Sequence, residues 1–246
     1  MKRTLAILFL FAFVFSAPAD CPDNPCPAGI TKIPDCPDEG CRKSAFDPDH
    51  PYDPKLNKQK NVRSDTQQSL LRSIKWVKAL PDPMNLTECG SREELKQLGE
   101  GQKVTVVARA LTARRRSGEK CNCELTHKED TDNHIVLVDR NVKDPTLTKD
   151  EDRSVTAEFT PRVRLDHPKF TRDTLNHLID PNWTASQNNA NGKLLVRVTG
   201  LLMFDSAHFF GGPPGACYQL GDTPGFKVRV LPQRKISAAL IATRIG

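Results

Sequence analysis

Cysteine, histidine and aspartate crowd one short stretch of the chain: Cys121, Cys123, His127 and His134, with Asp130 and Asp132 between them. Thiolates and imidazoles are zinc ligands, and four such donors close a tetrahedral shell at about 2.0 to 2.3 Å. The same residues have a plainer reading as two bridged cysteines beside strand and turn histidines. A Cys-x-Cys pair is too cramped to bridge itself, so one cysteine would bond to Cys89 and the other to Cys217. Oxidation after export favours the bridges over the metal. No cofactor is therefore expected, and zinc is the alternative.

A second set of polar residues falls at expected strand ends and edges: His134, Asp139, Arg140, Glu158, Arg162, His167 and His208. Together they form a candidate ligand-binding face at one barrel mouth. Asp132, Asp139, Arg140 and Glu158 are the residue types of a metal-dependent nuclease, in no recognisable order. Arg114, Arg115, Arg116 and Lys120 sit at a hairpin tip, but Lys103 to Arg140 contains no Phe, Tyr or Trp on which a base could stack. No Gly-x-Ser-x-Gly, His-Glu-x-x-His or phosphate-loop motif occurs. The expected function is a non-enzymatic binding module for a peptide, a glycan or another exported protein. The alternative is an exported metal-dependent hydrolase built on the cysteine-histidine-aspartate hairpin.

Export itself is read from the N-terminus. Lys2 and Arg3 precede an apolar run from Leu5 to Phe15, and Ala17-Pro18-Ala19 supplies a cleavage pattern, so residues 1–19 read as a signal peptide. The run is too short for a transmembrane span, so the mature chain is expected to be secreted or periplasmic, with no membrane span. Eight cysteines in such a compartment read first as disulfides: Cys21, Cys26, Cys36, Cys41, Cys89, Cys121, Cys123 and Cys217. The first four lie in two similar loops and are expected to pair among themselves. The formal charge of +6 falls to +4 without Lys2 and Arg3. Residues 217–246, with five basic residues against Asp222, account for that +4, leaving a near-neutral body. Such a body exerts no general pull on phosphate, which disfavours nucleic acid as a partner.

The elements that must position these residues follow from periodicity. Residues 20–60 are dense in Pro, Asp and Cys and read as an irregular arm. Residues 61–99 read as a helical lead-in, with Leu70, Ile74 and Val77 on one stripe, Leu71, Trp76 and Lys78 beside it, and a second helix capped by Ser91 and Glu94 that stops at Gly99. Val104, Val106, Ala108 and Ala110 alternate in a strand, and 134–138 is its hairpin partner. Asn141 to Asp152 is a polar break. Val155, Ala157 and Phe159 mark a third strand, and Leu175, Leu178 and Ile179 a short helix. Asn182 to Gly192 reads as a polar loop containing Trp183. Lys193 to Phe204, with Gly200 at a bend, is a fourth strand, and Phe226 to Leu231 a fifth. The expected fold is mostly β with short helices, an OB-like five-stranded small barrel over 100–231 preceded by the arm and a helix. An α+β sandwich is the second choice.

Several stretches also carry a resemblance: Asp53-Pro-Lys-Leu-Asn57-Lys-Gln-Lys-Asn61, Cys121-Asn-Cys, Thr131-Asp-Asn-His134-Ile-Val-Leu-Val-Asp139-Arg140, Ala157-Glu-Phe-Thr-Pro161-Arg and Val196-Arg-Val-Thr-Gly200-Leu-Leu-Met-Phe-Asp205. Over roughly Asp53 to His208 the chain resembles a group of exported bacterial proteins with an OB-like domain and no assigned activity. That resemblance implies a fold and no reaction. It also implies a following strand of the type Asn-Trp-Glu-Ile-His-Pro, which is missing here. Codons chosen for Ala216 to Gly225 and read one base later do encode that strand, so the chain from about Phe209, including the 232–246 tail, is expected to be out of frame. Such a shift predicts a barrel that is unstable or open at one edge.

Overall fold

The computed structural model describes residues 21–45, 52–62, 67–87, 89–206 and 226–230. The expected signal peptide, His208, Cys217 and most of the segment suspected of a frame shift lie outside these residues.

Pro54 cannot donate a backbone hydrogen bond and Asp53 can accept two, which together start the first helix, α1 (Pro54–Lys60). Asp53 Oδ1 accepts from the amides of Lys55 at 2.9 Å and Leu56 at 3.0 Å. The helical stripe expected through Leu70 is interrupted. Leu70–Arg72 is a short strand, β1, and only Ile74–Lys78 is helical as α2, with Ser73 Oγ capping the Trp76 amide. The next helix, α3 (Glu93–Gln97), differs from its expected cap as well. Ser91 Oγ receives only the Glu93 amide, while the Glu94 carboxylate turns away to accept from the amides of Met84 and Asn85.

The long strand β2 (Lys103–Arg116) organises the sheet, because both of its edges are used along different parts of its length. On one edge β3 (Asp132–Asp139) pairs antiparallel from Arg116↔Asp132 to Ala108↔Asp139 and then ends. The stretch of edge it leaves open, Val104 to Val106, is taken by β1 in parallel, which is why Leu70 to Arg72 is extended rather than helical. On the other edge β5 (Leu194–Phe204) pairs from Lys103 to Ala110.

Between these strands the break at Asn141 to Asp152 holds α4 (Leu147–Asp150) and a 3-10 turn, Glu151–Arg153, followed by β4 (Val155–Phe159), which pairs antiparallel with β3. Two helices come next, α5 (Pro161–Asp166) capped by Thr160 and α6 (Arg172–Ile179) capped by Thr171. The last strand, β6 (Phe226–Val230), lies between β4 in parallel and β5 antiparallel, so among the described residues the edge expected to be open is paired. Pairings run β2-β3-β4-β6-β5 and return to β2, curling a mixed sheet into a small barrel-like, mostly-β body with a few short helices.

Alternation decides what faces inward. Val104, Val106, Ala108, Ala110, Ile135, Leu137, Val155, Ala157, Phe159, Val196, Leu202 and Phe204 fill the core, closed by Leu175 and Ile179 of α6. Trp183, expected in a polar loop, is 1% exposed and belongs to this core, with His177 edge-on at 5.2 Å and the Arg172 guanidinium over its ring at 5.0 Å. Leu178 stays exposed. Val136 and Val138, on the opposite face of β3, pack with Leu111 against Leu147 of α4.

The arm does not stand apart, and its cysteines do not pair only among themselves. Cys26 bonds to Cys41, but Cys21 reaches Cys89 and Cys36 reaches Cys123. Docking onto the hairpin turn explains this pattern. Ile30, Ile33, Cys36 and Cys41 bury against Cys123 and Leu125, and Ile33 N donates to Asp130 Oδ1 at 2.8 Å. Gly40 approaches so closely that a Cβ there would lie 2.1 Å from the Lys120 carbonyl oxygen, at a φ of +69° that also favours glycine. Arg162 Nη2 donates to the carbonyls of Cys36 at 2.8 Å and Pro37 at 2.6 Å, fastening the arm from the barrel side.

Candidate functional site

The turn between β2 and β3 is a 3-10 helix, Lys120–Asn122, followed by Cys123 in the left-handed conformation. The Cys36 bridge and the Asn61 side chain, which donates to the Cys121 carbonyl at 2.9 Å, hold this turn over the outer face of β3 and β4. His134 and Glu158 are register partners there and point to the same side. Beneath the turn lies a buried ionisable cluster.

In this cluster His134 Nε2 lies 3.4 Å from Glu119 Oε1 and 3.7 Å from Glu158 Oε1. Ligand atoms of Asp132, His134 and Glu158 all fall within 4.8 Å of one another, as do those of Glu119, Cys121 and Asp132. Asn122 Nδ2 donates to Asp132 Oδ1 at 3.0 Å, and the Cys121 thiol donates to Glu119 Oε2 at 3.3 Å. Lys60, from the last turn of α1, places its ammonium 3.1 Å from Glu119 Oε2 and 4.0 Å from Asp205 Oδ1. His134 is 5% exposed and neither ring nitrogen has a hydrogen-bond partner, whereas Glu158 and Asp132 are fully enclosed.

Electrostatics bind Lys60 and Glu119 together. Burial alone would depress the Lys60 ammonium, but the carboxylates of Asp205, Glu119 and Glu158 outweigh it and hold its pKa well above the usual lysine range. Burial would raise Glu119, and the Lys60 charge reverses that, placing its carboxyl well below the usual range. Both groups are charged at neutral pH.

The expected zinc quartet does not converge. Cys123 is consumed by its bridge to Cys36 and His127 is exposed, so only Cys121 and His134 of that set reach the cluster. The bridge expected from the hairpin to Cys89 is not formed, since Cys123 bonds to Cys36 and Cys89 to Cys21; the one expected to Cys217 lies outside the described residues, and the Cys121 thiol donates to Glu119.

The expected ligand face likewise separates. His134 and Glu158 meet, Arg162 is spent on the arm, and Asp139 and Arg140 lie at the far end of β3, about 17 Å away by strand rise. Asp139 Oδ1 accepts from the Asn141 amide, and the Arg140 carbonyl accepts from Arg109 Nε. His167 ends α5 and packs edge-on against Phe170 at 5.9 Å. Lys60, Glu119 and Asp205 were not singled out by sequence. Lys60 and Asp205 lie within the stretches quoted above for the expected resemblance, but Glu119 carried no signal.

A second site is open. A cleft of about 710 Å³ is lined by Arg114, Arg115, Arg116, Arg172, Asn188 and Asn189, with Leu147, Thr148, Glu151 and Asp152 completing its wall. Arg114 is fixed there by Glu151 and by Asn189 Oδ1 at 2.8 Å, and Arg172 donates to the Gln187 carbonyl at 2.8 Å, while Arg115 is exposed. No protein-family model, curated protein or solved structure matches this chain.

Proposed function

We propose that the chain is an exported, OB-like binding module that takes an acidic glycan in the arginine- and asparagine-lined cleft. The OB reading is supported by five strands in the order first, second, third, fifth, fourth and back to first, with helices between the third and fourth. Export is supported by the charged, apolar and small-residue pattern of the first 19 residues and by three disulfides among the described residues.

The cleft carries the functional reading. Its volume lies in the range of ligand sites, and guanidinium forks beside two side-chain amides match sugar carboxylates and hydroxyls. The outer face of β3 and β4, where an OB barrel commonly takes its ligand, is covered here by the arm, α1 and the hairpin turn at its His134 and Glu158 end and by α4 over Val136 and Val138. The cleft, by contrast, is an open polar surface among the described residues. Trp183 is buried beneath Arg172 and offers no base-stacking platform, which favours sugar over nucleic acid.

Titration with oligogalacturonate tests the reading. Saturable binding that weakens at least about tenfold in Arg115→Ala and Arg172→Ala is expected, because a charge-assisted hydrogen bond is worth about 1.5 to 3 kcal/mol. Equal binding by both variants would sink the assignment to this cleft.

A further inference from the structure

We propose that Glu119, Asp132, His134 and Glu158 form a binding site for one divalent transition-metal ion of the zinc class. The site is separate from the glycan cleft and does not depend on it. Asp132, His134 and Glu158 each place one ligand atom within 4.8 Å of the other two, and Glu119 Oε1 adds a fourth donor 3.4 Å from the same imidazole nitrogen. A tetrahedral ion with bonds of about 2.0 to 2.2 Å separates its ligand atoms by about 3.3 to 3.6 Å. The imidazole Nε2 lies 3.4 Å from one glutamate oxygen and 3.7 Å from another, and Asp132 falls within 4.8 Å of both His134 and Glu158.

Histidine 134 supplies the independent observation. It is buried, and its Nε2 is aimed between two carboxylates without a hydrogen bond of acceptable geometry to either. Burying an imidazole whose nitrogens make no hydrogen bond is costly, and a coordinated ion removes that cost. The surroundings also orient the donors as a second shell does. Lys60 and the Cys121 thiol both hold Glu119 Oε2, which leaves Oε1 toward His134, and Asn122 holds Asp132 Oδ1. Imidazole with carboxylates is a donor set that zinc accepts, and Cys121, whose thiol donates to Glu119 Oε2, is assigned to the second shell. With all donors supplied by the protein, the ion clamps the hairpin turn to β3 and β4 rather than presenting an open position for catalysis.

The test uses the full chain with its disulfides intact, treated with chelator, dialysed and titrated with Co2+ and then Zn2+. One equivalent of Co2+ is expected, with tetrahedral d–d bands, no thiolate charge-transfer band, and displacement by Zn2+. His134→Gln and Glu158→Gln should each weaken Co2+ at least about 100-fold, whereas His127→Gln should bind like the parent. Circular dichroism identifies any variant that has lost its fold, and the parent protein carries the test if both have. No saturable binding by the parent overturns the site, as does a thiolate charge-transfer band that vanishes in Cys121→Ser, which would make the thiol a ligand and this donor set wrong.

Discussion

At the scale of single residues, the unusual feature is a lysine ammonium placed inside the molecule. Lys60 is 6% exposed and lies between Glu119 and Asp205, so its charge is tolerated only because carboxylates surround it. The Glu119 pKa is lowered on folding, so its contribution to stability is complete above the usual carboxylate range and is lost as pH falls through the lower folded-state value. The Lys60 pKa is raised, so its contribution is complete below the usual lysine range and is lost as pH rises through the higher folded-state value. A stability plateau across neutral pH follows. Lys60→Met leaves Glu119 buried without its ammonium partner. It should cost about 3 to 5 kcal/mol at pH 7 in urea unfolding, and the deficit should shrink on acidification as the carboxylate protonates. An unchanged midpoint at pH 7 would show that the lysine is not coupled to the cluster.

Elements here are held together by substitutes for missing strand partners. β5 ends its pairing with β2 at Ala110↔Leu194, and the register of β2 slips between Ala110 and Thr112, so the backbone of Ala113 has no β5 partner. Asn176 of α6 takes both groups: Ala113 N donates to its Oδ1 at 2.7 Å and its Nδ2 donates to the Ala113 carbonyl at 2.9 Å. Thr112 Oγ1 accepts from the Ala190 amide at 2.9 Å in the same region. A fully buried side chain thus ties the helix to the barrel. Asn176→Ala strands a buried N–H and a buried C=O, at about 1 to 3 kcal/mol each. Thermal melting should show that loss, with hydrogen exchange accelerating first at Ala113. Normal protection at Ala113 in the variant would mean that another group satisfies the strand.

For the molecule as a whole, the question is why an arm rich in proline becomes part of the fold. Its apolar content is small, and the bridges to Cys89 and Cys123 close loops of 68 and 87 residues, limiting the unfolded chain more than the local Cys26–Cys41 loop of 15. The arm then covers a face of the barrel that would otherwise meet water. Replacing Cys36 and Cys123 together by alanine should cost about 2 to 5 kcal/mol. Limited proteolysis should then cut near Ile33 while the barrel core survives. Resistance of the double variant equal to that of the parent would mean that packing alone seats the arm.

The periodic elements were legible in the sequence because alternation is a local property: Val104 to Ala110, Val155 to Phe159 and Leu194 to Phe204 each record which side is buried. Thr171 likewise caps α6 through the Thr174 amide, a contact three residues away. What the sequence left open depended on chain segments far apart. Leu70 to Arg72 carries a helical stripe yet becomes a strand, because β3 stops short and leaves a backbone edge that only β1 reaches. Trp183 sits in a polar run, and burial beneath Arg172 is decided by α6 rather than by its neighbours. Cysteine spacing says that bridges form but not which ones, since pairing depends on where the arm docks. The cluster shows the same limit. His134 and Glu158 are recognisable as candidates, but Lys60, Glu119 and Asp205 come from a helix, a turn and a strand end whose meeting is set by tertiary packing. Local pattern determined the elements and which faces they bury; long-range closure of the barrel and docking of the arm decided which charged groups share one site.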